Sequence, residues 1–289
     1  LARPAVGIIT NVGSAHLEML GSLDGIAAAK GELFVGLGDG CTAVFCGNPD
    51  HARVGKQALW AGATLTPTHR SGRLRAFVTR RDEGNDASPA STEPSPVLAY
   101  RVLSQSAEGI EVELRYIGGD SLAPIGPSRV VASIPLVGAH QADNAALAAA
   151  AAMALDVPLL LCAHGLSRVV QAKHRGQIVT LHGRHVLDDC YNANPDSTAA
   201  ALRTLAALSG AARAVAVLGD MLELGPDELA LHRQIGEVAV SCRLAQLITV
   251  GERAKQASLA AQAAGLPAVH ADSPQQAASL AAAATQPGD

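Results

Sequence analysis

The spacing of apolar positions divides this chain into stretches of different character. Ala5-Val6-Gly7-Ile8-Ile9-Thr10 is a short apolar run rich in β-branched residues, which predicts a buried parallel strand. Ile26 to Leu37 reads as a helix with Lys30 near its start, and Thr42-Ala43-Val44-Phe45-Cys46 as a second buried strand. Gly47-Asn48-Pro49-Asp50 then forms a strand-end turn, and His51 to Ala61 a helix. From Leu98 the period changes to two. Leu98–Leu103, Ile110–Tyr116 and Arg129–Ile134 alternate apolar and polar residues, the pattern of an antiparallel meander with one wet face. Between these regimes, residues 82–96 are too polar and proline-rich to bury apolar area and read as a mobile surface insertion.

Helical spacing returns at Gln141–Leu155, where Ala dominates, and at Pro158–Leu166. Lys173-His174-Arg175-Gly176-Gln177 is basic and reads as flexible, and Arg184–Leu187 as strand, so a domain boundary is expected near residue 181. Beyond it strand and helix alternate. Val186-Leu187, Ala214–Leu218, Leu247–Val250 and Ala268–His270 are strands; helices follow from Pro195, from about Asp227, at Lys255–Ala264, and after a Ser273 cap. Such alternation predicts βαβ units and a Rossmann-like domain. The reading is an α/β chain of two domains, 1–181 with a parallel sheet plus an antiparallel meander, and 182–289 Rossmann-like.

Composition narrows the function classes. The chain has 289 residues, enough for about two domains, and its net charge of −4 gives no bulk attraction to nucleic acid or an anionic membrane. Five cysteines without CxxC spacing argue against a disulfide framework or structural zinc and for a reducing, cytoplasmic setting. No apolar run is long enough to span a bilayer without a charge or a breaker. The chain opens on a core strand without Met and closes at Gln286-Pro287-Gly288-Asp289, where a further strand is expected, so both ends read as cut.

Polar clusters sit at the carboxyl ends of the predicted strands, where open α/β sheets place ligands. Thr10-Asn11-Val12-Gly13-Ser14-Ala15-His16-Leu17-Glu18 follows the first strand, with Lys30 on the next helix. A His, a carboxylate and a Lys gathered there suit a metal and a phosphate; the plainer alternative is a polar loop beside a solvated lysine. Asp188-Asp189-Cys190-Tyr191-Asn192-Ala193-Asn194-Pro195-Asp196-Ser197 is denser still, although an Asx-rich turn capping a helix would use the same residues. Gly219-Asp220-Met221-Leu222-Glu223-Leu224-Gly225 occupies the equivalent place one unit on, with His232 behind it. There is no GxGxxG after the first strand of the second half, which disfavours a dinucleotide oxidoreductase.

These stretches, with Ala29-Lys30-Gly31-Glu32 and Gly138-Ala139-His140-Gln141-Ala142-Asp143-Asn144, resemble the Mur ligase family in order from residue 5 to about 255. The Tyr-Asn-Ala-Asn-Pro and Gly-Asp-Met-x-Glu-Leu-Gly runs resemble the branch that joins D-Ala-D-Ala to UDP-N-acetylmuramoyl-tripeptide for peptidoglycan. The resemblance implies an ATP-dependent amide ligase. It phosphorylates a carboxylate to an acyl phosphate that an amine then attacks, acting as a cytoplasmic monomer with Mg²⁺. The resemblance makes residues 1–181 the remainder of a central ATPase domain and residues 182–289 the C-terminal ligase domain. It assigns His16 to metal binding and Lys30 to a carbamylated, metal-holding role. Asn144 corresponds to the adenine contact, Arg175 to the arginine that reaches ATP, and Asp189 to the ribose carboxylate. Tyr191, Asn192 and Asn194 would line the face closing on the γ-phosphate or the dipeptide. Asn48 and Asp50 match a family turn interrupted here by Pro49. Cys190 stands where Ser is commoner, read as packing and not as a nucleophile.

The chain carries no GxxxxGK[ST] phosphate loop; Val54-Gly55-Lys56-Gln57 lacks the glycine spacing and the hydroxyl. The 289 residues alone are therefore expected not to use ATP. The rival readings are another Mur ligase, a folylpolyglutamate synthase-like ligase, or a non-catalytic ligand-binding protein of two α/β units.

Overall fold

A computed structural model describes residues 3–14, 17–38, 40–47, 75–82, 97–117, 126–209 and 213–289. His16, Asn48, Asp50, the predicted helix at 51–61 and nearly all of the 82–96 insertion lie outside the described residues. The chain divides into two compact units, Leu1–Gly13 with Ser22–Val170, and Ser14–Gly21 with Gln171–Asp289. The division falls before residue 181 because strand β7 (Gln177–Leu181) is bonded antiparallel to β8 (Arg184–Asp188), and a cut at 181 would sever that hairpin.

The first unit is built on a six-stranded sheet in sequential order: β1 (Val6–Ile9), β2 (Thr42–Cys46), β3 (Arg75–Arg81), β4 (Val97–Ser106), β5 (Gly109–Ile117) and β6 (Arg129–Ile134). The first four strands are parallel; β5 and β6 return antiparallel, as period two predicts. Every residue of β2 is buried, consistent with an uninterrupted apolar run in the middle of a parallel sheet. In β6, Val130, Ala132 and Ile134 face the core while Arg129, Val131 and Ser133 face solvent. Helices α2 (Leu23–Val35), α3 (Gln141–Met153) and α4 (Leu159–Leu166) follow the predicted order; the single turn α1 (Leu17–Leu20) precedes them unpredicted and belongs by its contacts to the second unit. Leu98, Tyr100, Val112, Leu114 and Ile134 from the sheet pack with Ala142, Ala146, Leu147 and Leu159, so the small Ala side chains of α3 bring its backbone close to the strands. Ser22 starts α2 by accepting a hydrogen bond from the Gly25 amide, which leaves Lys30 mid-helix and not near the start.

The second unit carries a parallel three-stranded sheet in the order β11 (Ala268–Ala271), β10 (Gln246–Val250), β9 (Val215–Leu218). Its helices are α5 (Pro195–Ser209), α6 (Glu228–Ser241), α7 (Lys255–Ala263) and α8 (Pro274–Ala284). Ser273 caps α8 as expected, accepting from the Gln276 amide. Among the described residues Val186-Leu187 does not open the parallel alternation: its strand β8 pairs with β7, and Val186 is exposed, unlike the buried β10. Among the described residues no helix is long and apolar enough to cross a membrane.

His232 on α6 is buried at 2% exposure. Its Nε2 accepts from the Met221 amide at 2.9 Å, and its Nδ1 lies 2.7 Å from the Glu228 carbonyl oxygen. An amide can only donate and a carbonyl can only accept, so the ring proton resides on Nδ1. The ring thereby ties the Gly219–Gly225 turn to the helix behind it. His232→Ala removes a packed ring and the acceptor for a buried amide; the expected loss of stability is about 2–4 kcal/mol, read as a lower denaturant midpoint at unchanged m-value.

Candidate active site

In the first unit, Lys30 reaches from α2 to the carboxyl end of β1, where Nζ donates to the Asn11 carbonyl oxygen at 3.0 Å and lies 3.4 Å from Asn11 Oδ1. Burial pulls the Lys30 amine below its ordinary pKa. The amine is thus held among oxygens with part of its hydration stripped away, so that it loses its proton more readily than a solvated lysine does. Of the gathering expected at this strand end, Lys30 meets the backbone and side chain of Asn11, Glu18 belongs by its contacts to the second unit, and His16 lies outside the described residues.

Asn144 is exposed on the first turn of α3, its Nδ2 donating to Gln141 Oε1 at 3.1 Å. The neighbouring Asp143 anchors that turn, accepting from Arg81 at 3.0 Å and from the buried Tyr100 hydroxyl at 2.5 Å. A half-buried carboxylate with two charge-assisted partners fixes the helix start and so the direction in which Asn144 stands.

In the second unit, the loop after β8 gathers several predicted residues. The Arg175 guanidinium stacks over the Tyr191 ring at 4.0 Å from its centroid. The backbone closes the same contact: the Tyr191 amide donates to the His174 carbonyl at 3.0 Å, and Gln171 Nε2 donates to the Arg175 carbonyl. Asp188 organises this loop. One carboxylate oxygen lies 2.7 Å from His174 Nδ1, and the other accepts from the Cys190 amide at 3.4 Å. The hydrogen bond from the Cys190 thiol, then that from His174, holds the Asp188 carboxyl below its usual range, and the same thiol–carboxylate bond pushes the Cys190 thiol up. A thiol held protonated is a poor nucleophile, in line with the packing role assigned to Cys190. Asp189 is half-buried beside this cluster, and Tyr191 is 65% exposed, so an aromatic face and a guanidinium stand open together.

The two asparagines of the loop are engaged locally. Asn192 Oδ1 accepts from the Ala193 amide at 3.0 Å. Asn194 caps α5, its Oδ1 accepting from the Ser197 amide at 2.9 Å while its own amide donates to Ser197 Oγ at 3.1 Å. This is the capping alternative contained in Asn-Pro-Asp-Ser, and it gives α5 a rigid origin. Asp196 in the first turn of α5 accepts from both the amide (2.8 Å) and the hydroxyl (2.7 Å) of Ser14, a member of the Thr10–Glu18 stretch that belongs by its contacts to this unit. The Gly219–Gly225 turn meets the same stretch, the Glu18 amide donating to the Glu223 carbonyl at 3.2 Å. Asp220 in that turn caps the start of α7, accepting from the Arg253 and Ala254 amides at 3.0 and 2.7 Å. Gly251, at φ +106°, leaves the room that this carboxylate fills. Ser14, His174, Asp188 and Asp196 carry these contacts and were not singled out by residue type; the signal for His174 was its place in the basic run beside Arg175.

The comparisons with known proteins bear on what this arrangement serves. Residues 1–152 match the model of the Mur ligase middle domain, and residues 174–289 that of the Mur ligase glutamate ligase domain. The UDP-N-acetylmuramoyl-tripeptide--D-alanyl-D-alanine ligase of Escherichia coli is 31% identical over 268 residues, covering 90% of this chain and 50% of that protein. The protein of the same name from Mycobacterium tuberculosis is 32% identical over 259 residues, covering 87% and 44%. Among solved structures, MurF from Acinetobacter baumannii superposes with a TM-score of 0.74 at 23% identity, covering 97% of this chain and 53% of that one. MurF ligase from Thermotoga maritima in complex with ADP superposes with a TM-score of 0.72 at 20% identity, covering 100% and 57%. These structures share the fold, and the chain spans about half the length of the curated relatives it matches. With both family models met in order along nearly all of its length, the chain belongs to the Mur ligase family.

Proposed function

We propose that the chain works within an ATP-dependent ligase that joins D-alanyl-D-alanine to UDP-N-acetylmuramoyl-tripeptide in the cytoplasm, as a monomer, during peptidoglycan precursor synthesis. The observation that carries this reading is the loop from Asp188 to Asn194, which sets Arg175 over Tyr191 beside Asp189 and ends in a rigid helix cap. The names of the curated relatives, which share this half of the protein, favour the dipeptide as the amino substrate.

In this reading ATP phosphorylates the tripeptide carboxylate, and the dipeptide amine displaces phosphate from the acyl phosphate. Asp189 accepts from the ribose hydroxyls, Asn144 presents an amide that can both donate and accept to the adenine edge, and Arg175 offers its fork to phosphate oxygens. Tyr191, stacked under the planar guanidinium, limits the directions in which it points. Tyr191, Asn192 and Asn194 line the face that meets the γ-phosphate or the dipeptide, the two amides shaping it through their turns. Mg²⁺, when bound, neutralises charge on the transferring phosphoryl group. Lys30 as a carbamate, with His16, would hold it; the lowered pKa of Lys30 fits an amine able to take up CO₂, whereas an ammonium would repel the ion. Hard Mg²⁺ prefers oxygen ligands, which a carbamate supplies and an amine does not.

The test is substrate-dependent ADP release by a protein of the relatives' full length. Release should require the UDP-tripeptide and D-Ala-D-Ala together, and Asp189→Ala should raise the KM for ATP by about tenfold or more, the loss of a charged hydrogen-bond acceptor. Equal turnover with glutamate or a diamino acid in place of the dipeptide would move the chain to a sister activity.

A further inference from the structure

We propose that His174, Asp188 and Cys190 form a binding site for a borderline divalent cation, with Zn²⁺ the ion that fits best. The inference is independent of the ligase reading and of Lys30. The imidazole nitrogen, carboxylate oxygen and sulfur all lie within 4.8 Å of one another. Tetrahedral zinc with bonds of about 2.0–2.3 Å needs ligand atoms about 3.3–3.7 Å apart, so the 2.7 Å His174–Asp188 contact has to open by less than about 1 Å while any wider pair closes from within 4.8 Å.

The backbone holds the three groups in place. Asp188 ends β8 in register with Gln177 at the start of β7, so its Cα is fixed by the hairpin. Cys190 follows two residues on, its amide bonded to the Asp188 carboxylate. His174 sits on the other side of the hairpin base with φ +59°, an uncommon left-handed conformation for a residue with a side chain, and the Tyr191 amide bonds its carbonyl. Ligands are therefore delivered from both arms of one clamp. The His174 side chain is 55% exposed, which leaves a path for the ion and a fourth position for water.

The donor set selects the ion. One nitrogen, one sulfur and one carboxylate suit Zn²⁺ and its neighbours in the transition series, whereas Mg²⁺ wants several oxygens. Binding replaces the proton of the Cys190 thiol, which leaves to solvent, and places the imidazole proton on Nε2 so that Nδ1 can ligate. Sulfur then acts as thiolate toward the metal with no change of oxidation state.

Co²⁺ and Zn²⁺ titration of the purified chain under reducing conditions tests the site. Co²⁺ should produce a thiolate-to-cobalt charge-transfer band that one equivalent of Zn²⁺ abolishes and excess Mg²⁺ does not. Cys190→Ser should remove the band, and His174→Ala should weaken Zn²⁺ binding by more than about tenfold in a chelator competition, with the far-ultraviolet circular dichroism of both variants unchanged. A band that persists in Cys190→Ser would assign the metal to another cysteine, and Zn²⁺ affinity that neither substitution alters would overturn the proposal.

Discussion

Lys30→Met in a ligase of the relatives' full length is expected to lower kcat by about a hundred- to a thousandfold, the scale on which a lost electrostatic stabiliser of the reacting centre acts. The geometry argues for that size of effect without a folding defect. Lys30 lies mid-helix on α2, half-buried, and among the described residues its amine bonds Asn11. Methionine keeps the unbranched stem and a good helix propensity, so the melting temperature should hold. The purpose of the amine is what the variant removes. If Lys30 functions as a carbamate, stripping CO₂ and bicarbonate from the buffer should depress the wild-type rate reversibly. Formate or acetate should restore part of the activity to Lys30→Ala, a small carboxylate entering the space the side chain vacates. Turnover by Lys30→Met above about a tenth of the wild-type rate would remove Lys30 from the reaction, since an effect below 1.4 kcal/mol is too small for a group that holds an ion against a phosphoryl transfer.

The elements most legible in the sequence are those whose burial agrees with a single period. The apolar runs of β2 and β10 and the alternation of β5 and β6 are read directly, because one face or both faces of each are covered; β1 forms where its run predicts, yet Ile8 is exposed, so its burial is one-sided. Two strands escape. In β3, Arg75, Arg80 and Arg81 interrupt the apolar pattern, yet the strand lies inside the sheet. Its one fully buried described side chain is Thr79, while Arg81 extends past the strand to Asp143. In β7, Gln177–Leu181 follows a basic run and is only partly covered, so its pairing with β8 comes from the hairpin and not from burial. The same limit applies to the site. Residue types at strand ends identify the Asp188–Asn194 loop, but Arg175 over Tyr191, and His174 against Asp188, depend on how two segments of chain close on each other. Asn194 shows the converse: its cap of α5 is a local contact, readable from Asn-Pro-Asp-Ser alone.

Gly236→Ala and Gly165→Ala, the same change in two helices, are expected to move stability in opposite directions. Both positions are helical, and in both alanine relieves the backbone-entropy cost of glycine by about 1 kcal/mol. At Gly165 on α4 the added methyl meets nothing within 4 Å and the position is exposed, so the propensity gain should survive as about 0.5–1 kcal/mol of added stability. At Gly236 on α6 the methyl would overlap the Ala257 carbonyl oxygen and lie 3.0 Å from the Ala257 Cα and carbonyl carbon, at the start of α7. Those atoms are backbone, so no rotamer change relieves the overlap, and the helices must separate. Separation opens the packing of Ile235, Ala239, Ala257 and Ala261, all buried in the same cluster. Overpacking of this kind costs about 1–3 kcal/mol or more, and the loss of helix contact adds to it, so the steric term exceeds the propensity term and a net destabilisation of about 2 kcal/mol or more follows. Urea titration of both variants beside the wild type measures the two signs together. Equal midpoints, or a Gly236→Ala variant more stable than the wild type, would mean that α6 and α7 do not cross in backbone contact at that glycine.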